Sequence, residues 1–302
     1  MNDCKNSTVT EFSLTPFSTS RTNEIVIFTG FLFMYLLAVV GNLIIIALVC
    51  VVPQLHTPMY FFLCNLSSVD AIYVSTILPK LLSIILAEDK TISYYGCFTQ
   101  LYFFIFCANA ENNILTCMAY DRYVAVCSPL HYSMIMTRKV CFIIGTSYMI
   151  FSVVNSIMLT LMISALSFCS HKINHVFCDV IPLMALSSND TWSIKIMISM
   201  EDICVVITFI FIVTSYVRII STVVKIRSSS GQLKAFSSCS SHIITVLLFY
   251  GPSIFMYLKP ESEDSKEKDK ILSMLYVAVV PMLNPFVYSL RNKDVLGAAR
   301  KT

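Results

Sequence analysis

Long apolar runs, separated by short polar stretches, dominate the hydropathy pattern of this chain. A helix needs about 20 mostly apolar residues to cross the hydrocarbon core of a bilayer, which is about 30 Å thick. The runs that reach this length are Ile25–Cys50, Met59–Leu86, Tyr95–Val126, Val140–Phe168, Ile194–Ile226, Phe236–Leu258 and Ile271–Leu290. The pattern therefore predicts an all-α membrane protein with a seven-transmembrane helix bundle over residues 25–290. Residues 1–24 form an outer segment, and residues 291–302 form a short cytoplasmic tail that has room for a surface helix.

Composition and charge agree with a membrane protein. Of the 302 residues, 56% are hydrophobic and only 13% are charged, whereas soluble domains carry about 25% charged residues. The 21 Lys and Arg nearly balance the 18 Asp and Glu, so the chain lacks the strongly basic character of nucleic-acid-binding proteins. The polar start and the long first run argue against a cleavable signal peptide. We expect the first run to target and anchor a multi-pass plasma-membrane protein.

Basic residues favour one orientation of the bundle, because cytoplasmic loops are enriched in Lys and Arg. With the amino terminus outside, the inner side holds eleven basic residues and two acids, a net +9. The outer side then holds ten basic residues and twelve acids, a net −2. The count predicts an outer amino terminus and a cytoplasmic carboxyl terminus, which seven spans also require.

The outer segments carry signs of extracellular processing. Asn6-Ser7-Thr8 is a glycosylation acceptor pattern, and Asn189-Asp190-Thr191 is a second one in the long outer loop. Most of the twelve cysteines lie within apolar runs, where a small apolar role is expected. Cys97 and Cys178 instead fall on the outer, oxidising side, where a disulfide between them is expected.

Several polar residues interrupt the apolar runs, where isolated charges are costly and tend to have functions. They are Asn42, Asp70, Glu111, His242 and Asn284, together with the pair Asp121-Arg122 at the inner end of the third run. Spacings of 7 and 11 residues place Phe104, Glu111 and Arg122 on one face of the third helix. Twenty-five residues of helix from Cys97 to Arg122 span about 37 Å. One rod therefore joins the outer loop to the inner surface.

The sixth and seventh runs contain helix-bending sequences. Gly251-Pro252 predicts a bend in the sixth, and Pro281 and Pro285 free backbone carbonyls in the seventh. Such bends are natural hinges for a two-state bundle, although static kinks give the same sequence. Glu201 and Asp202 of the fifth run can serve as a handle for a ligand or be held protonated beside water.

The ordered set of motifs closely resembles the vertebrate odorant receptors, a branch of the rhodopsin-like G-protein-coupled receptors. The resemblance covers nearly the whole chain. The motifs are Gly41-Asn42, Leu55–Leu63, Asp70, Met118–Cys127, Ser128–Tyr132, Ser215-Tyr216, Lys234–His242, Pro281–Tyr288 and Ser289–Asn292.

This resemblance implies roles for particular residues. Asp121, Arg122, Tyr123, Tyr216, His242 and Tyr288 would form the switch toward the G protein, in which Asp121 holds Arg122 at rest. Asn42, Asp70, Glu111 and Asn284 would form a mid-membrane polar network that is able to hold Na⁺ at Asp70 and Glu111, and no cofactor is expected. Cys97 and Cys178 match the family disulfide. The ligand cavity would be lined by Phe104, Ile105, Ala108, Asn109, Glu201, Cys204, Tyr250, Ser253, Ile254 and Tyr257.

The same resemblance implies the partners and the place of action. The partners are a small, mostly apolar volatile odorant, a heterotrimeric G protein of the stimulatory olfactory type and membrane lipid. Binding would raise cyclic AMP, and the expected location is the ciliary membrane of olfactory sensory neurons.

Three residues depart from the pattern of the wider family. Cys169 fits a second loop disulfide, but its usual partner position holds Ser188. We therefore predict one loop disulfide, with Cys169 free or alternatively paired. Tyr250 stands where most rhodopsin-like receptors outside this branch have tryptophan. Phe104 replaces the aspartate of amine receptors, which argues against an amine ligand.

Other classes of protein fit the sequence less well. A retinal-based pump needs a lysine within the seventh run, and Lys270 and Lys293 lie only at its ends. The chain has no His-Glu-x-x-His motif, Gly-x-Ser-x-Gly elbow or phosphate-binding loop, so we expect no enzymatic activity. Cys169, His171, His175, Cys178 and Asp179 have the residue types of a metal site. A disulfide at Cys178 would remove that residue as a ligand, so no metal site is expected.

Overall fold

The computed structural model describes residues 9–15, 21–86, 90–258 and 265–291. Its helices are α1 (Arg21–Val51), α2 (Pro58–Leu86), α3 (Tyr94–Cys127), α4 (Tyr132–Ile135), α5 (Arg138–Ser164), α6 (Val180–Ala185), α7 (Trp192–Val223), α8 (Ser229–Leu258) and α9 (Ser265–Arg291). Short 3-10 turns occupy Pro53–Leu55 and Pro129–His131. The described residues also form three short strands, β1 (Glu11–Leu14), β2 (Thr91–Ser93) and β3 (Lys172–Ile173).

The seven long helices correspond to the seven apolar runs of the sequence. Five of them, α1, α2, α5, α7 and α8, are long and apolar enough by themselves to cross a membrane. The other two are more polar: α3 carries Glu111 and Asn112, and the apolar part of α9 is the shorter stretch Tyr276–Tyr288. Helix ends differ from the prediction most at α8, which begins at Ser229 instead of Phe236.

Burial separates the helices that form the bundle interior from those that face lipid. Residues of α2 and α3 make up much of the hydrophobic core, including Phe62, Tyr73 and Met118. Helices α1, α5 and α7 instead expose many large apolar side chains, such as Phe33 and Ile207. Exposed apolar surface on this scale is unfavourable in water and suits a bilayer. The polar helix α3 is therefore tolerated because its neighbours surround it.

A small sheet at the outer end was absent from the sequence expectations. Strand β1 pairs antiparallel with β2 and parallel with β3, with Phe12 opposite Ile92 and Leu14 opposite Ile173. Phe12 is fully buried and packs against the rings of Tyr94, Phe98 and Phe168. The segment before the first helix is thus built into a second apolar cluster, beneath the outer loops.

The prolines of α9 explain how the first and last long helices meet. Pro285 has no backbone N–H, so the carbonyl of Pro281, one turn earlier, loses its helical donor. The side-chain Nδ2 of Asn42 donates to that carbonyl at 3.0 Å and to its own helix at Ala38. Gly41 permits this approach, because a Cβ there would lie 3.1 Å from the Pro285 ring.

Candidate functional site

The inner end of α3 holds a closed ion pair. Arg122 Nη2 lies 2.6 Å from Asp121 Oδ2, and Arg122 Nε donates to the same oxygen at 3.0 Å. The hydroxyl of Tyr132, on α4, donates to the other carboxylate oxygen at 2.7 Å. Burial, and then the Asp121 charge, raise the pKa of the Tyr132 phenol, so it remains a donor. The side chain of Asp121 is fully buried, and its charge is compensated by the Arg122 cation and the Tyr132 hydroxyl together.

A second set of residues links α3, α7 and α8 above this pair. His242 Nε2 lies 3.0 Å from the carbonyl oxygen of Leu115, and its Nδ1 lies 2.5 Å from the Tyr216 hydroxyl. Because a carbonyl only accepts, Nε2 carries the proton and Nδ1 accepts from Tyr216. Tyr288 of α9 is also buried, and Ser241 donates to the carbonyl of Val287 at 2.9 Å. A shift of α8 would break several of these bonds together.

Two buried acids meet in the middle of the bundle. Asp70 accepts from Asn284 Nδ2 at 2.8 Å, and Glu111 accepts from the Tyr276 hydroxyl at 3.5 Å. The two carboxyl groups are within hydrogen-bonding reach of each other. One oxygen of each, and the Asn284 amide oxygen, have no donor among the described residues. Asn42, placed in the same network by the sequence, binds the Pro281 carbonyl instead.

Residues predicted for the ligand cavity divide into two groups. Phe104, Ile105, Ala108, Asn109 and Tyr250 are buried or partly buried between the helices. Phe104 packs against Tyr73 and against Phe177 of the outer loop, with ring centroids 5.8 and 5.1 Å apart. Cys204 and Ile254 are exposed, whereas the side chains of Ser253 and Tyr257 lie outside the described ones.

Tyr250 belongs to a polar cluster that the sequence did not reveal. Its hydroxyl donates to Asn112 Oδ1 at 2.6 Å, and Thr208 donates to the same oxygen at 3.1 Å. One amide oxygen therefore joins α3, α7 and α8. Asn112 follows Glu111 in the sequence but contacts α7 and α8, whereas Glu111 contacts α9. The role of Asn112 is therefore visible only from the packing of the three helices.

Glu201 makes a contact other than the one expected. Asn155 of α5 donates a hydrogen bond to Glu201 Oε1, which ties α5 to α7. The acid is partly buried. Its side chain thus has a protein partner from a helix that contributes no residue to the predicted cavity.

The long outer loop is fixed over the bundle. A disulfide joins Cys97 at the start of α3 to Cys178. Gln100 adds two hydrogen bonds, accepting from the Cys178 N–H at 2.9 Å and donating to the Thr76 carbonyl at 3.0 Å. Burial raises the pKa of the Asp179 carboxyl. The charge of His175 and the hydrogen bond from the Val180 N–H reduce this increase. No group of three metal-ligating side chains occurs in the described part of the chain.

The expectation of a single loop disulfide was wrong, because Cys169 is also disulfide-bonded. The usual partner position within the loop holds Ser188, so the sequence left Cys169 either free or alternatively paired, and the alternative pairing is the one present. The structure brings another segment there: Ser13 of β1 donates to the carbonyl of His171 at 2.7 Å. The partner of Cys169 lies outside the described residues, as does the glycosylation candidate Asn6.

A helix bundle with a closed acid–arginine pair at its inner end and a disulfide-anchored loop over its outer end has the architecture of a receptor. Residues 31–302 match the model of the olfactory receptor family. Olfactory receptor 1G1 of Gorilla gorilla gorilla is 45% identical, covering 97% of this chain and 94% of that receptor. Olfactory receptor 5AR1 of Mus musculus is also 45% identical, over 98% of this chain and 96% of its own length.

The chain therefore belongs to the olfactory receptor family. It is a multi-pass membrane protein and an odorant-sensing G-protein-coupled receptor, and its relatives are receptors, not enzymes. This assignment fixes the outer end of the bundle as extracellular and the Asp121-Arg122 end as cytoplasmic.

Proposed function

We propose that this receptor binds a small, mostly apolar volatile odorant between α3, α7 and α8 and activates a stimulatory G protein of the olfactory type. The response would be a rise in cyclic AMP in the ciliary membrane of olfactory neurons. The observation that supports this most is the hydrogen bond from Tyr250 to Asn112, since it joins α8 to α3 between the predicted pocket residue Asn109 and Leu115, which His242 contacts. An odorant that displaces Tyr250 would loosen the helix that carries His242.

The cavity residues support an apolar ligand. Phe104, Ile105 and Ala108 supply apolar surface, and the amide of Asn109 and the hydroxyl of Tyr250 supply the few polar groups that orient a ligand. Phe177 closes the outer side through its contact with Phe104. Glu201 accepts a hydrogen bond from Asn155, so its carboxylate already has a protein partner, and nothing at this position favours a cationic ligand.

The cavity is tested by a matched pair of substitutions after an odorant panel has provided an agonist. Phe104→Ala should weaken the response by about 10- to 200-fold in agonist concentration, the range for lost apolar groups in a pocket. Phe103→Ala is the control, because Phe103 lines a separate outer groove between α2 and α3. Cyclic AMP is measured at equal surface expression. Equal effects of both substitutions would refute the assigned cavity.

We further propose that Asp70, Glu111 and Asn284 hold a sodium ion. Carboxylates only accept hydrogen bonds, and oxygens without donors in a buried site require a proton or a cation. The ion would supply positive charge between two acids and so stabilise the arrangement in which they face each other. Carboxylate and amide oxygens are hard ligands, which suit a hard cation such as sodium.

Sodium should therefore raise the melting temperature of the purified receptor relative to choline at equal ionic strength. Asp70→Asn should remove that difference, whereas Asp190→Asn, at an exposed loop acid, should leave it intact. A sodium effect that persists in Asp70→Asn would rule out this site.

A further inference from the structure

A groove of about 830 Å³ lies at the cytoplasmic end of the bundle, and none of the predicted ligand-binding residues is among the residues that line it. It is formed by the inner ends of α1, α2 and α5, the α1–α2 loop and the short helix α4. Most of its lining is apolar, including Phe61, Cys64 and Phe142. His56 and Arg138 also line it, and no acidic residue lines it in the part of the chain that the structure describes. The inner groove, as we call it, is thus apolar and basic.

The order of these groups matches the depth profile of a membrane. Arg138 is the first residue of α5, at the cytoplasmic interface, and His56 lies in the adjoining loop. Phe142 follows Arg138 by four residues, so it lies on the same helix face one turn deeper into the bilayer. Phe142 is 66% exposed and therefore borders the lipid phase. A molecule in the groove would meet a cation at the surface and apolar walls below.

Charge complementarity identifies the occupant. The guanidinium of Arg138 is exposed and has no carboxylate partner among the described residues. A guanidinium binds a phosphate through paired hydrogen bonds, and the cytoplasmic leaflet is the source of anionic lipid at that depth. A sterol would fill the apolar walls but would leave the arginine unused.

We propose that the inner groove binds one anionic phospholipid of the cytoplasmic leaflet. Its phosphate lies against Arg138, with His56 beside it, and one acyl chain follows Phe142, Phe61 and Cys64. The cavity volume is in the range of specific small-molecule sites, so the groove accepts part of a lipid, not only a surface contact.

The inner groove also touches the switch. Tyr132 lines the groove, and its hydroxyl is the donor that holds Asp121. A lipid that binds this closed arrangement better than an open one shifts the receptor toward the closed state. This consequence rests on the proposed receptor function, whereas lipid binding itself does not.

Photo-crosslinking in vesicles tests the binding directly. The full-length receptor is reconstituted in phosphatidylcholine containing a small fraction of photoactivatable phosphatidylserine, and labelled peptides are identified by mass spectrometry. Label is expected on the α1–α2 loop and on residues 132–142. Arg138→Gln should reduce it by about tenfold or more, the effect of losing a charge-assisted hydrogen bond to the phosphate. Arg138→Lys keeps the charge but not the paired hydrogen bonds, so its labelling should lie between the two.

Two controls separate the site from general attraction. Lys139→Gln removes the same charge from the next exposed residue, which does not line the groove, and should leave labelling unchanged. Cys64→Phe fills the apolar wall without changing charge and should reduce labelling. Thermal unfolding of each variant confirms that it is folded.

Equal labelling of the Arg138→Gln and unsubstituted receptors would overturn the proposal. So would equal labelling by photoactivatable phosphatidylcholine, which shows that the headgroup charge is not read. Displacement of the phosphatidylserine label by cholesterol, with no effect of Arg138→Gln, would assign the groove to a sterol instead. A receptor that labels as expected but shows no odorant response would contradict the proposed function alone.

Discussion

Replacing Arg122 by alanine is expected to reduce odorant-evoked cyclic AMP by more than about tenfold, to near its basal level. The guanidinium is the cationic group at the cytoplasmic end of α3, and in the closed state its Nε and Nη2 both bind Asp121. A partner protein that receives a released guanidinium gains charge-assisted hydrogen bonds, and loss of such a buried contact typically costs 2–5 kcal/mol or more. Cyclic AMP at matched surface expression provides the measurement.

The neighbouring residues provide controls with different expected signs. Lys139→Ala removes an exposed cation on the same face of the membrane and should leave the response intact. Tyr132→Phe and Asp121→Asn weaken the closed state without removing the arginine, so both should raise basal signalling. An undiminished odorant response in Arg122→Ala would show that Arg122 does not carry the signal, whatever the other variants do.

The long helices could be predicted from the sequence because each reflects local composition. A run of apolar residues long enough to cross a bilayer forms a helix whatever its neighbours are, since every backbone polar group must be satisfied within the segment. The start of α3 was even predicted to within one residue, and Ser93 caps it by accepting from the Gly96 N–H. The bounds of α8 were less accurate, because its first two turns are polar and lie beyond the apolar run.

The contacts of the site were harder to predict because they join distant segments. Asp70 accepts a hydrogen bond from Asn284 of another helix, whereas Asn42 binds the carbonyl that Pro285 leaves without a donor. Glu201 of α7 likewise accepts a hydrogen bond from Asn155 of α5. No periodicity along one helix contains this information, since it depends on which helices are neighbours.

The outer end shows the same limit. The pairing of Cys97 with Cys178 follows from residue type and side of the membrane. The strand β1 does not, because Glu11–Leu14 is a four-residue segment that pairs only when β2 and β3 are already in place. The disulfide of Cys169 could not be chosen from the sequence either, which left that cysteine free or alternatively paired.

Replacing Cys178 by serine is expected to cause the largest loss of stability. The disulfide closes a loop between residues 81 positions apart and holds the long outer loop against α3. Removing a native disulfide of this kind costs about 2–5 kcal/mol. The hydrogen bond from the Cys178 N–H to Gln100 should be lost at the same time, because the loop is no longer fixed beside α3. We expect a strongly reduced surface level in cells and a lower melting temperature of the purified receptor.

Variants of the partner cysteine, Cys97, and of an unbridged cysteine serve as controls for the effect of Cys178→Ser. Cys97→Ser should cause the same loss, and the double variant Cys97→Ser/Cys178→Ser should be no worse than either single one, since each removes the same bond. Cys204→Ser changes an exposed, unbridged cysteine and should behave as the unsubstituted receptor does. Losses that add in the double variant would mean that the two cysteines act independently. In that case the loop would be held against α3 by Gln100 and by the contact of Phe177 with Phe104, and not by the bond between the sulfurs.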